Sequence, residues 1–507
     1  MGRQMRQYFG PAAIVFVGLL GAQMLFTLYV YQSNNDLLKS LETIENTGYL
    51  TVPNVRIKDS LDAFMPAFCG GFFFTLTAGA GLILTAFFLI YLWRSVFACR
   101  PNMFFVILFL WALGIYKAAQ TGAPRLLTAF FFLIPLMVFV LMMKWLKGPG
   151  AKSGWRVAAV HLPAVITIAV IWLPNMNSGV FVNIRDQILL SNPAGRAINS
   201  FYYRYTLYPA ESFKPLHRKQ LKTAKIQIEA HSLFNRIEKS LRRLDYLPVS
   251  SGISPDLTVR SRGDRLLLAH QGQTVLEVQT SRFLRSPKET LQDFSQQMDQ
   301  MTFLRQFTFF SLIFASPILL YFFIHTFVSC VLVGIRQPIK RSVIAAAVCV
   351  MIAAAGAYAL FPFQGTINPA GQAKNLIGEW LRSDSSQLRV CALKRIDKGD
   401  LPIAAHESAL MELGKSPAIA ERYWTARVLG NSDSERTYRQ LLQLLHDPHS
   451  NVVCMALYSL GNRQADQAIK EIKRILIASD HWYVQWYAYN ALKELGWVQP
   501  KSVSYLC

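Results

Sequence analysis

The sequence predicts a mainly α-helical membrane protein: a polytopic helix bundle of about seven spans, a small α+β extracytoplasmic insertion, and a C-terminal α-solenoid. Three observations predict it: a series of long apolar runs, a polar stretch of about 130 residues between the fifth and sixth of them, and a segment that recurs in the last quarter of the chain. Hydrophobic residues make up 52% of the 507 residues and charged residues only 16%. Soluble domains carry about 25% charged residues, so apolar sequence is concentrated somewhere. The net charge of +22 does not point to nucleic acid, because much of the Lys and Arg flanks apolar runs, where it sets topology, and no nucleic-acid-binding motif accompanies it. The seven cysteines form no CxxC pair and no Cys/His metal spacing, which argues against a disulfide framework or a cysteine metal site.

A spanning helix needs roughly 20 apolar residues. Seven runs qualify, at about 11–31, 64–93, 103–120, 126–146, 157–174, 307–334 and 343–363. The first follows Arg3 and Arg6, exceeds a signal-peptide core in length and is read as a retained anchor. Arg94, Arg100, Lys147, Lys152, Arg156, Arg336, Lys340 and Arg341 fall on alternate loops. By the positive-inside rule they put the N-terminus in the cytoplasm and the loop 32–62, the middle domain and the C-terminus outside, in a bacterial periplasm. The domains expected are 1–174 (five spans), 175–306 (extracytoplasmic α+β), 307–363 (two spans) and 364–507 (repeats). Gly71, Thr75 and Gly79 form a small-residue ridge, suited to close packing within the bundle or to a homo-oligomer contact. The intramembrane polar residues are Lys117, His161 and His325, with Lys144 at a span end. Such residues are functional candidates by default, but a proton or ion path usually needs an acid, and these runs contain no Asp or Glu.

The middle segment opens with Asn183-Ile184-Arg185-Asp186 and continues to Phe201-Tyr202-Tyr203-Arg204-Tyr205. Tyrosines next to a span suit the membrane–water interface. The same residues, Arg185, Asp186, Arg196, Tyr203, Arg204 and Tyr205, are the candidates for a ligand or lipid-headgroup site. Residues 217–246 read as one basic helix with Leu233, Ile237, Leu241 and Leu244 on its apolar stripe. Three strands follow near 256–261, 265–270 and 274–279, with turns at Gly263-Asp264 and Gly272. Ser286-Pro287-Lys288-Glu289 reads as a capping box, opening a helix that would run on towards the sixth span and couple the domain to the membrane.

The C-terminal segment repeats itself. Arg389–Ile396, Thr425–Gly430, Val453–Gly461 and Tyr487–Gly496 carry small Ala residues among Leu and Val, each copy pairing with a second helix, such as those of Leu441, Leu442 and Leu445 or Ile469, Ile472 and Ile475. Aligned on Ile396, Leu429, Leu460 and Leu495, the copies are 33, 31 and 35 residues apart. These units resemble HEAT-like repeats of the short kind seen in phycobilin-lyase-related proteins, with Arg422 where that pattern has Val. The resemblance covers about a quarter of the chain and implies a protein-binding solenoid with no catalytic residues. Trp482, Tyr483 and Trp486 are the candidate partner-binding residues, since Trp and Tyr dominate binding hot spots.

The sequence carries no P-loop, dinucleotide fingerprint, GxSxG, HExxH or CxxCH, and His446-Asp447-Pro448-His449 is a weak metal pattern. No catalytic, cofactor or metal residue is assigned. The expected function is an integral membrane scaffold or assembly subunit of the bacterial inner membrane, in contact with lipid, that recruits an envelope protein through its repeats. The alternatives are a transporter or lipid-handling component, or an enzyme acting on a lipid-linked or sugar substrate.

Overall fold

The computed structural model describes residues 2–120, 124–146, 154–173, 179–249, 254–335, 337–360, 373–399 and 403–500. The described residues of all seven apolar runs are helical. Gly10–Asn46, Phe64–Arg94, Arg125–Trp145, Thr302–Gly334 and Ile339–Leu360 are long and apolar enough to cross a membrane, while Pro101–Tyr116 and Val160–Trp172 are shorter apolar helices. Lys147, Lys152 and Arg336, three of the loop charges used to orient the spans, lie outside the described residues. The chain divides into two compact units: Met1–Asn34, Ala63–Val180 and Gln300–Pro362 in the first, Asn35–Asp62, Phe181–Asp299 and Phe363–Cys507 in the second.

In the first unit the small-residue ridge packs inside the bundle. A Cβ on Gly71 would lie 3.3 Å from the Thr27 backbone nitrogen, and one on Gly79 would lie 3.0 Å from the Ala22 Cβ. Helices that close can share polar groups in an apolar setting. Gln23 Nε2 donates to the Phe68 carbonyl at 2.7 Å, and Thr75 Oγ1 donates to Gln23 Oε1 at 2.7 Å. Two of the long helices of this unit, Phe64–Arg94 and Thr302–Gly334, loosen into π-turns, Thr75–Gly79 and Ser311–Ala315. Such turns free backbone carbonyls from the α pattern, and Ser316 Oγ donates to the Leu76 carbonyl at 2.8 Å.

The second unit joins a five-stranded sheet to the helical repeats. The strands are β1 Lys222–Gln227, β2 Tyr246–Pro248, β3 Leu257–Arg262, β4 Arg265–His270 and β5 Gln273–Gln279, in the order β2-β1-β3-β4-β5. β1 runs parallel to β2 and β3, and β3, β4 and β5 form an antiparallel meander. The three strands expected between 256 and 279 are β3–β5. The single helix expected over 217–246 is overturned: Leu216–Arg218 is a 3-10 turn, Lys222–Gln227 is β1, and only His231–Arg243 is α-helical, connecting β1 to β2. β1 is held by strands on both sides, and Asp256 accepts from the backbone N–H and the hydroxyl of Thr223 at 2.8 and 2.9 Å. The helix covers the sheet with Ile237 and Leu241, which pack with Tyr246, Val259, Leu268 and Phe294. Pro287 sits at the first turn of the helix Pro287–Gln297, but Ser286 makes no side-chain capping bond, so the capping box is not formed. That helix ends at Gln297 and the next begins at Thr302, so no continuous rod leads into the sixth apolar run.

The repeats are four helix pairs: Ala373–Leu381 with Ser386–Asp397, Glu407–Leu413 with Ile419–Leu429, Glu435–Leu444 with Ser450–Asn462, and Ile469–Ala478 with Trp482–Glu494. The second helices stack through small residues. A Cβ on Gly430 would meet Ser459 Cβ at 2.8 Å, and one on Gly461 would meet Ala491 Cα at 3.0 Å. Arg422, the departure from the repeat pattern, links two repeats: it pairs with Asp447 at 2.6 Å and donates to the Ser416 carbonyl at 2.7 Å.

Candidate functional site

The second helices of the four repeats present one row of polar and aromatic side chains, and that row is filled by the chain's own middle segment. At the first two repeats the filler is Asp186, 5% exposed. It accepts from Arg185 Nε and Nη2 at 2.8 and 2.7 Å, from the Trp424 indole at 2.8 Å, and pairs with Lys394 at 2.7 Å. The Arg185 guanidinium lies 3.8 Å from the centre of the Tyr423 ring. A carboxylate with two cations and an indole N–H is fully matched, and burying it is tolerable only for that reason.

At the third and fourth repeats the filler is the helix Pro193–Tyr205 and the turn after it. Asn199 Nδ2 donates to Asn451 Oδ1 at 2.8 Å. The Tyr203 and Tyr483 rings lie 4.7 Å apart, and Tyr208 meets Trp482 edge-on at 5.1 Å. From the loop 47–61, Asn54 exchanges a pair of bonds with Gln485: its N–H donates to Oε1 at 2.9 Å, and its Oδ1 accepts from Nε2 at 2.8 Å. Gln220 Nε2 donates to the Trp486 carbonyl at 3.0 Å. Asp245 accepts from the Tyr489 hydroxyl at 2.7 Å and pairs with Lys493 at 2.9 Å. The order of contacts along the middle segment, from Asp186 to Asp245, follows the order of the repeats.

These positions change the meaning of the sequence-derived candidates. Trp482 is 4% exposed and packs on Tyr208, so it is not an exposed contact; Tyr483 packs on Tyr203, while Trp486 stays partly exposed, its carbonyl accepting from Gln220. Arg185, Asp186 and Tyr203 are struts between the middle segment and the repeats, and Asp186 has no face open to a substrate. Tyr205 is half-buried, its ring tilted against those of Phe201 and Tyr208. Arg196 and Arg204 alone of the six remain on the surface. The residues that sequence reasoning missed are Asn54, Asn199, Lys394, Trp424 and Asp245. Their partners lie 208 to 431 residues away, so no local pattern marks them.

Burial sets the electrostatics of the seam. Lys222, 3% exposed, has its amine pushed down to about 8 by loss of water, with Asp245 and Asp256 opposing. Its Nζ donates to the Lys219 carbonyl at 3.0 Å and lies 4.8 Å from the centre of the Tyr246 ring. His481, at the start of the last helix, is lowered to about 4, again chiefly by burial. The hydroxyls of Tyr483, Tyr487 and Tyr489 are all held above their usual range by the same cause.

In the first unit, His161 and His325 belong to one cluster. Their ring centres are 4.5 Å apart. His161 Nδ1 shares a hydrogen bond with the Tyr321 hydroxyl at 2.9 Å, and His325 Nε2 with Ser342 Oγ at 3.1 Å. Lys144 is exposed near the end of its helix, and the Lys117 side chain lies outside the described residues. An apolar crevice of about 200 Å³ lies among Ile90, Trp93, Phe104, Trp111, Leu136 and Phe139. Among the described residues no group of three or more His, Cys, Asp or Glu side chains is placed to hold a metal ion. In the His446–His449 turn, Asp447 is taken by Arg422.

Residues 407–493 match the family model of the HEAT repeats. The repeats are therefore HEAT-like, as the recurrent segments indicated. No curated protein and no solved structure matches the chain.

Proposed function

We propose that this protein is an integral membrane scaffold, anchored in a bacterial inner membrane with its N-terminus in the cytoplasm, whose periplasmic module of sheet and HEAT-like repeats recruits an envelope protein. The observation that carries the reading is the division of labour between the two helices of each repeat. HEAT-like arrays offer extended binding surfaces. Here the second helices are spoken for by the chain itself, leaving the first helices as the open side. There Arg436, Arg439 and Arg474 are exposed, with side chains 67–75% accessible. A partner for that side is a protein with an acidic face. A rim of this kind contributes more to encounter and specificity than to affinity.

The test is affinity purification of the full chain from its own membranes in mild detergent, beside an Arg436→Glu/Arg439→Glu/Arg474→Glu variant, with mass spectrometry of co-purifying proteins. One stoichiometric envelope protein with the parent, lost from the variant at unchanged thermal stability, is the expected result. A chain that purifies alone in both forms refutes the scaffold reading. A second reading, a transporter or lipid-handling component, then takes precedence, favoured by the joined His161–Tyr321–His325–Ser342 cluster.

A further inference from the structure

The helix Pro193–Tyr205 has two faces. Asn199 and Tyr203, four residues apart, turn to the repeats, and Gly195, one turn earlier, packs on the Ile188–Leu189 backbone. The arc beside them carries Ile198, Phe201 and Tyr202, which are 61%, 42% and 43% exposed. Tyr205 continues that arc at the next turn, and Phe181 and Ile188 add exposed apolar groups upstream. On the remaining side lie Arg196, Ser200 and Arg204, all exposed. Scattered surface apolar residues are ordinary, but a contiguous stripe bordered by cations marks an interaction site.

The chain itself restricts what can meet that stripe. Tyr208, three residues beyond the helix, bonds Ser60 through its hydroxyl at 2.6 Å. Four residues after Ser60, Phe64 opens an apolar helix long enough to cross a membrane. Four residues span at most about 14 Å. Phe181, at the other end of the apolar set, is the first residue of the second unit after the apolar helix Val160–Trp172. Along the chain the stripe is thus flanked by Phe181, which follows a shorter apolar helix, and by Tyr208, whose partner Ser60 stands just before the membrane-length helix Phe64–Arg94. Its composition also fits lipid: aromatic rings favour the membrane–water interface, and arginines beside them can bond lipid phosphates in pairs of N–H contacts.

We infer that the helix Pro193–Tyr205 is an interfacial lipid-binding helix, with Ile198 and Phe201 seated among the acyl-chain ends, Tyr202 at their border with its hydroxyl turned back to Tyr483, and Arg196 and Arg204 on phospholipid phosphates. One face of the helix holds the repeats and the other is left open to lipid. This depends on the membrane half of the proposed function and not on the protein partner, so the two fail separately.

The test uses the full-length chain in phospholipid nanodiscs with a benzophenone amino acid placed singly at Ile198, Phe201 or Gln443, the last exposed on the first helix of the third repeat, followed by irradiation and intact-mass measurement. Phospholipid adducts at 198 and 201, and few at 443, are expected. Arg196→Glu with Arg204→Glu, both at exposed sites, should reduce the adducts at 198 several-fold. Equal adduct yields at all three positions, cross-links to a second copy of the chain instead of lipid, or yields unchanged by the charge reversal would each overturn the inference.

Discussion

Asp186 shows how a residue that looks chemical can be structural. Beside Arg185, in a tyrosine-rich stretch, it has the composition of an active-site acid, yet it is the buried acceptor that Arg185, Lys394 and Trp424 share. Replacing it with Ala leaves two partly buried cations unpaired. Breaking such a pair from one side costs about 3–5 kcal/mol, so Asp186→Ala should lower the melting temperature of the detergent-purified chain sharply, and Asp186→Asn, which keeps an acceptor for the indole, should lower it less. Loss of activity in the Ala variant is therefore no evidence for catalysis. Lys222 makes a pH-dependent prediction. Below about pH 8 both the folded and the unfolded chain hold its proton. Between about 8 and its ordinary 10.5 the folded state releases the proton and the unfolded state keeps it, so unfolding becomes harder as pH rises through that window. The full shift corresponds to roughly 3 kcal/mol. Above about pH 10 the buried tyrosines act in the opposite sense, because the unfolded chain loses their protons first. Denaturation midpoints measured between pH 7.5 and about 9.5 should rise in the parent and stay flatter in Lys222→Met, which should also be the more stable of the two at neutral pH.

At the scale of the element, the helix Pro193–Tyr205 starts where its sequence says it should. The Asn192 side chain accepts from the Gly195 N–H at 2.8 Å and Pro193 occupies the first turn, a conventional start. Gly195 departs from the expectation that Ala is better in a helix by about 1 kcal/mol. A Cβ there would lie 2.2 Å from the Ile188 carbonyl oxygen, which is backbone and has little room to yield. Gly195→Ala should therefore destabilise, by about 1–3 kcal/mol, and should speed tryptic cleavage after Arg196 and Arg204 in limited proteolysis; slower cleavage would show that the Ile188 carbonyl moves freely. The strand β1 is the complementary case. Lys222-Thr223-Ala224-Lys225-Ile226-Gln227 has a helix-compatible composition, and the Leu/Ile stripe just downstream extends the helical impression. Parallel pairing on both sides decides its conformation, as tertiary context commonly does for strand residues. The meander β3–β5 was legible because each strand alternates and each turn has its Gly: Gly263 and Gly272 stand at φ +60° and +84°, which Gly adopts without strain.

At the scale of the molecule, segments that four and then two apolar runs separate in the sequence fold together: Asn35–Asp62, Phe181–Asp299 and the repeats are one compact unit. Deleting the chain beyond about residue 370 would thus do more than remove a recruiting surface. It would bare Asp186, Asn199, Tyr203 and Tyr208, which is why charge reversal on the first helices is the cleaner probe of partner binding. The sequence by itself determined the elements whose cause is local: the apolar helices, from the length of their runs; the meander, from alternation and turn residues; and the HEAT-like pairs, from a recurrence that survives because each repeat must present the same small residues to its neighbour. It also marked the tyrosine stretch as unusual. Only the tertiary structure decided what that stretch and the Trp482–Trp486 cluster are for, because each completes the other across more than 270 residues. Aromatic and charged side chains look the same in a sequence whether they await a partner or already have one, and the partner here is supplied by folding.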